Sequence, residues 1–156
     1  MRALLALLSL SLLPVLAQAS AQQTVMTQTD SDRLIAAGKA AAQAQQAHVC
    51  IAVVDQSGLL LAFGRMDDAA PGCVDASILK ARAAALYRTS TARFMDRANA
   101  QEPAIATLPG MVPLGGGTPV QIAGKVVGAV GVSGATGAIE TKISEQAAAG
   151  IGGPAS

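Results

Sequence analysis

The chain has 156 residues, a formal net charge of +1 and no run of Lys or Arg, which suits a single domain and excludes nucleic acid or another polyanion as a partner. Hydrophobic residues make up 51% of the chain but aromatics only 2%, so the core has to be built from Ala, Val, Leu and Ile around Phe63, Tyr87 and Phe94. Side chains that small let helices and strands approach closely.

In chain order, residues 1–21 read as a signal peptide. Arg2 supplies a positive start, Leu4 to Leu16 is an apolar stretch too short to span a bilayer comfortably, and Ala17-Gln-Ala19 and Ala19-Ser-Ala21 both offer the small-x-small pattern of a cleavage site. The expectation is a periplasmic or secreted protein whose residues 22–156 form one domain, with no stable membrane insertion once the leader is removed. An uncleaved anchor is the alternative. The two cysteines, Cys50 and Cys73, are an even number in a compartment that permits disulfides, so they are expected to pair. Two buried free thiols are the other reading.

Asp30-Ser31 marks a helix start, with Leu34, Ile35, Gly38, Ala41, Ala42 and Gln45 at helical spacing to about Ala47. "HVCIAVVD" is an apolar, β-branched run, the pattern of a strand buried on both faces. "DQSG" is turn chemistry and "LLLAFGRM" a second strand, so residues 49–66 form a hairpin. After the loop "DDAAPG", Asp75 or Ser77 is placed to cap a helix ending near Arg88, and residues 90–100 make a weaker helical piece. "EPAIATLPG" is irregular. "PVQIAGKVVGAVGVSG" is a second hairpin turning at Ala123-Gly124, and "IETKISEQAAAGI" is a final helix. Helices alternating with hairpins predict an α+β domain: a single antiparallel β-sheet flanked by α-helices, of profilin/PAS-like layout.

"GAVGVSGAT", residues 128–136, invites three readings. Gly128, Gly131 and Gly134 fall three apart in a hairpin strand, which is not the dinucleotide fingerprint, and "GGGTP" lacks the Lys of a phosphate loop. Gly131 and Ser133 match a nucleophile elbow, but Ala135 replaces its last Gly and the lone His48 lies upstream. The structural reading is stronger. Alternation puts Val126, Gly128, Val130 and Val132 on one sheet face, and Val127, Ala129 and Gly131 on the other. The backbone N–H groups at the Ser133-Gly134 corner remain able to receive a carboxylate or phosphate.

"IAVVDQSGLLLAFGRMD", "KARAAALYR", "LPGMVPLGGGTPVQIAGKVVGAVGVSGAT" and the closing helix together resemble the GlcG/HbpS family of haem-binding or haem-degrading-type proteins, and are similar to PduO C-terminal domains. The resemblance covers about residues 30–150. It implies a central antiparallel sheet, homo-oligomerisation through small-residue surfaces, and a tetrapyrrole ligand, haem or a corrinoid, in some members. It supplies no catalytic residues. Several relatives carry a His just before the RMD segment, where this chain has Gly64.

Three functions follow from this: an exported haem or tetrapyrrole binder acting in carriage, storage or sensing; an enzyme degrading haem or acting on a small organic acid; or a ligand-free accessory module. For the first, a shallow site is expected, since a deep slot recruits large rings. Arg65 suits a propionate with Asp67 orienting it, or the two form a plain salt bridge. Lys80 either contacts a carboxylate near the glycine segment or is a solvated surface lysine. Gly115, Gly116 and Gly117, with Gly131, Ser133 and Gly134, either line the macrocycle or only bend the chain. His48 is the one imidazole and the best-typed iron ligand, or a solvent-facing strand start; axial ligation is expected to be weak or from a non-His group. No His/Cys/Asp/Glu cluster suggests any other metal.

Overall fold

The computed structural model describes residues 23–151; the expected signal peptide lies outside them. Helix α1 (Gln28–Ala44) begins earlier than the sequence suggested. Thr27 Oγ1 accepts from the Asp30 amide, and the Asp30 carboxylate accepts from the Thr27 amide, closing a capping box. Asp30 is thus the third helical residue and not the cap.

Strands β1 (Cys50–Asp55) and β2 (Leu60–Arg65) form the first hairpin. Helix α2 (Cys73–Tyr87) follows, then α3 (Thr91–Asn99) capped by Ser90, and a short 3-10 turn at Pro103–Thr107. Neither Asp75 nor Ser77 caps α2, whose N-cap is Gly72, with no side-chain cap. Its first turn is instead tied to the sheet by a Cys50–Cys73 disulfide with Cα atoms 5.4 Å apart. Constraining the unfolded loop between them contributes about 3 kcal/mol on the chain-entropy model. Strands β3 (Gly117–Ile122) and β4 (Lys125–Ser133) form the second hairpin, and α4 (Gly137–Ala148) closes the fold. Ala123 and Gly124 both have positive φ, 50° and 73°, which the right-handed twist of a two-residue hairpin turn favours.

The sheet order is β2-β1-β4-β3, antiparallel throughout. Its two hairpins meet along β1 and β4, the buried central strands. α1 and α4 cover one face, over Leu34, Ile51, Val53, Val120, Val130, Val132 and Ile143. α2 covers the other, over Ala52, Val54, Ala81, Ala84, Ala85 and Ala129. Here the small-residue composition has its reason. A Cβ added to Gly131 would lie 1.9 Å from the Ser77 carbonyl oxygen, so the backbone of α2 rests directly on β4.

The alternation expected along β4 holds only in part. Pairing shifts register between Val120 and Gln121, placing Val120 opposite Gly128 and Gln121 opposite Val126. Val127 is the extra residue of this bulge and turns into the α1/α4 core, where it is 1% exposed. Val126 is left half-buried.

Candidate functional site

The candidate site is built at the end of the sheet where β1 begins. Cys50 is flanked in register by Arg65 of β2 and Ser133 of β4. One residue outward, the Met66 amide donates to the Val49 carbonyl at 3.0 Å. Beyond that rung stands His48, exposed, with Nδ1 2.9 Å from the Asp67 carbonyl oxygen. A carbonyl only accepts, so Nδ1 carries the hydrogen, and in the neutral ring Nε2 is left with a free lone pair. Gly134 packs against the same strand start: with φ at +125°, a Cβ there would meet the His48 carbonyl oxygen at 2.6 Å.

Arg65 is anchored by the same loop that anchors His48. Its Nε and Nη2 donate to the Ala69 carbonyl at 3.2 and 2.7 Å. Among the described residues Arg65 and Asp67 form no salt bridge; Asp67 contributes its backbone carbonyl, and its carboxylate is exposed. Position 64 faces the other way. A Cβ on Gly64 would meet Lys39 and Ile35 of α1 at 3.1 and 3.2 Å, so a side chain at that position projects beneath α1.

Lys80 is neither a surface lysine nor free to hold a ligand's propionate. It is 3% exposed; its Nζ lies 2.6 Å from Glu140 Oε2 and 3.3 Å from the Val132 carbonyl oxygen. Glu140 Oε1 in turn accepts from the amides of Gly134 and Ala135 at 2.8 and 3.0 Å. The carboxylate that the glycine corner was able to receive is therefore the chain's own. Glu140 was missed in sequence; its available signal was an acidic residue in the first turn of the helix that follows that corner.

The glycine triplet does not line an open surface. Gly115, Gly116 and Gly117 are all buried. Added Cβ atoms would meet Thr141 Oγ1 at 2.4 Å, the Val132 carbonyl at 2.5 Å and the Lys80 carbonyl at 2.5 Å respectively. These glycines let the chain thread between α2 and α4, and Gly131 lies under α2 in the same way. The surface-accessible members of the expected set are His48, Arg65, Asp67, Ser133 and Gly134. They lie at one end of the sheet, beside the disulfide. A cavity of about 120 Å³ lined by Val25, Met26, Asp55, Gln56, Leu61 and Val127 sits at the opposite end of β1, too small for a macrocycle. Among the described residues no three His, Cys, Asp or Glu side chains group as a metal site.

Residues 26–149 match the family model described as "Haem degrading protein HbpS-like". Protein GlcG of Escherichia coli K12 is 42% identical over 111 residues, covering 71% of this chain and 83% of the relative. Among solved structures, a double mutant of Streptomyces reticuli HbpS superposes with a TM-score of 0.79 at 31% identity, covering 92% of this chain and 99% of that one. A PduOC:haem complex superposes with a TM-score of 0.72 at 25% identity, covering 82% and 96%.

Proposed function

This chain belongs to the HbpS-like family, and from that premise we propose that it binds haem or a closely related tetrapyrrole at the His48 end of its sheet. The observation that carries this reading is the anchored imidazole. With Nδ1–H held by the Asp67 carbonyl, Nε2 presents its lone pair from an exposed ring on a rigid strand end. That is the form in which histidine ligates haem iron, and the hydrogen bond behind it fixes the tautomer and raises ligand basicity. Haem supplies the iron that such a nitrogen coordinates; Arg65 supplies a guanidinium for a propionate, held in place by the Ala69 carbonyl. The resulting site is shallow and lies on an open surface. In this reading His48 would hold the iron, an alternative to the weak or non-histidine ligation expected from the sequence.

The physiological role we propose is carriage, storage or sensing outside the cytoplasm. The apolar leader and the Cys50–Cys73 disulfide support export. Self-association is part of the proposal. The alanine face of α2 is consumed inside the fold, so the contact surface would be formed by the apolar side chains left exposed, Leu60 and Phe63 of β2 at 49% and 37% and Leu79 and Leu86 on the outer face of α2 at 45% and 49%.

Titration of the purified protein with haemin tests the ligand. A Soret shift is expected in the wild type, lost or moved to a different ligation signature in His48→Ala. No shift in the wild type overturns the haem reading, and an unchanged spectrum in His48→Ala overturns the ligand assignment alone. Adding a reductant in air to the loaded protein separates a binder, whose Soret band persists, from the haem-degrading alternative, whose band gives way to bilin absorbance.

A further inference from the structure

The disulfide, the imidazole and the guanidinium are joined by one short loop. Residues 66–72 leave β2 at Arg65 and enter α2 at Cys73. Within that loop the Asp67 carbonyl holds His48 Nδ1 and the Ala69 carbonyl holds the Arg65 guanidinium. Few other bonds fix it: the Ala69 amide donates to Met66, and the Cys73 and Val74 amides donate back to Ala70 and Pro71. Asp68 within it has φ at 62°, a left-handed conformation that a β-carbon disfavours. Ala69 is the loop's buried side chain, 2% exposed, and it packs in a small cluster with Cys50 and Cys73, separate from the main core.

We infer that the Cys50–Cys73 disulfide is a lock on this loop, and that breaking it lowers haem affinity by releasing the carbonyls that orient His48 and Arg65. The inference rests on the haem reading above and names what positions that site's residues. Its physical basis is the separation of the two parts. The lock's cluster holds only Cys50, Ala69 and Cys73 with Val74 against it, whereas the α2–sheet interface is carried by Ala52, Val54, Ala81, Ala84, Ala85 and Ala129. Reduction therefore leaves α2 docked and frees its first turn with the preceding loop. The reaction adds two electrons and two protons to the S–S bond to give two thiols, while a dithiol reductant closes to its own disulfide. Without a fixed partner for Nδ1–H, the imidazole loses the hydrogen bond that sets its tautomer and ring orientation.

The test compares the oxidised protein with protein reduced by a trialkylphosphine, which becomes the phosphine oxide by taking oxygen from water, and with Cys50→Ala/Cys73→Ala. Haemin affinity and amide hydrogen exchange are both read. The expected result is affinity about 10- to 100-fold weaker without the disulfide, the range for loss of a metal ligand's supporting hydrogen bond. Faster exchange is expected at Ala69, Cys73 and Val74, with Val130 and Val132 unchanged. If the double variant does not fold, the phosphine-reduced wild type carries the comparison. Equal affinity in both redox states overturns the lock and leaves the haem reading standing. Faster exchange throughout β4 overturns it too, because the disulfide then holds the whole fold. Absence of haemin binding in every form, the oxidised protein included, overturns the haem reading itself.

Discussion

Lys80 and Glu140 form an ion pair of 2.6 Å, with side chains only 4% and 6% exposed, between the middle of α2 and the first turn of α4. The carboxylate also holds the Gly134 and Ala135 amides, so this pair fixes the corner against which His48 packs. Lys80→Met leaves a buried carboxylate without its cation, and Glu140→Gln leaves a buried ammonium without its anion. Each is expected to cost about 3–5 kcal/mol in urea unfolding. The Lys80→Met/Glu140→Gln double variant should cost less than the sum of the two, because no unpaired charge remains. Strict additivity would show that the two side chains act independently.

Gly131→Ala and Gly137→Ala should behave oppositely. The new methyl at 131 overlaps the Ser77 carbonyl and has to push α2 off the sheet, with about 3 kcal/mol of destabilisation expected. At Gly137, in the first turn of α4, nothing lies within 4 Å of the added Cβ, and reduced unfolded-state freedom should stabilise the protein by about 0.5 kcal/mol. Equal midpoints for the two variants would contradict the close approach of α2 to β4.

The capping box makes α1 sensitive to acid. Hydrogen bonds from the Thr27 side chain and backbone hold the Asp30 carboxyl below its ordinary value of 3.8. A depressed folded value contributes stability that is present above the unfolded pKa and is lost as pH falls through the folded one. The gap in unfolding midpoint between wild type and Asp30→Asn should therefore stay constant from neutral pH down to the ordinary carboxylate range, then close below it. A gap that persists in strong acid would place the stabilisation elsewhere.

Arg65→Ala tests the propionate contact apart from the iron. The guanidinium is exposed, so its loss should weaken haemin binding by only about two- to fivefold. The same variant should reduce the salt dependence of binding while leaving the ligation spectrum unchanged. Unaltered affinity and salt dependence would move the propionates away from β2.

Local pattern determined the elements of this protein. The β-branched run "HVCIAVVD" and the Ala123-Gly124 turn yield strands and a hairpin from nearest-neighbour preferences alone, and helices alternating with hairpins lead to one covered antiparallel sheet. The cysteines could be expected to pair because an even count and a leader-like first stretch are themselves legible in sequence. Tertiary structure decided the site. Lys80 and Glu140 are 60 residues apart, and nothing local to either reports that the other will neutralise it. Glycines that line a ligand and glycines that admit a neighbouring backbone read alike in sequence; only the α2 and α4 atoms lying against Gly115, Gly116, Gly117 and Gly131 distinguish them. His48 shows the same limit. Its residue type was legible from the start, but the free Nε2 depends on a carbonyl 19 residues away that comes within reach only when β1 and β2 pair and the loop after β2 folds back. Chemistry set by one residue's neighbours in the chain is open to sequence reading, and chemistry set by its neighbours in space waits for the fold.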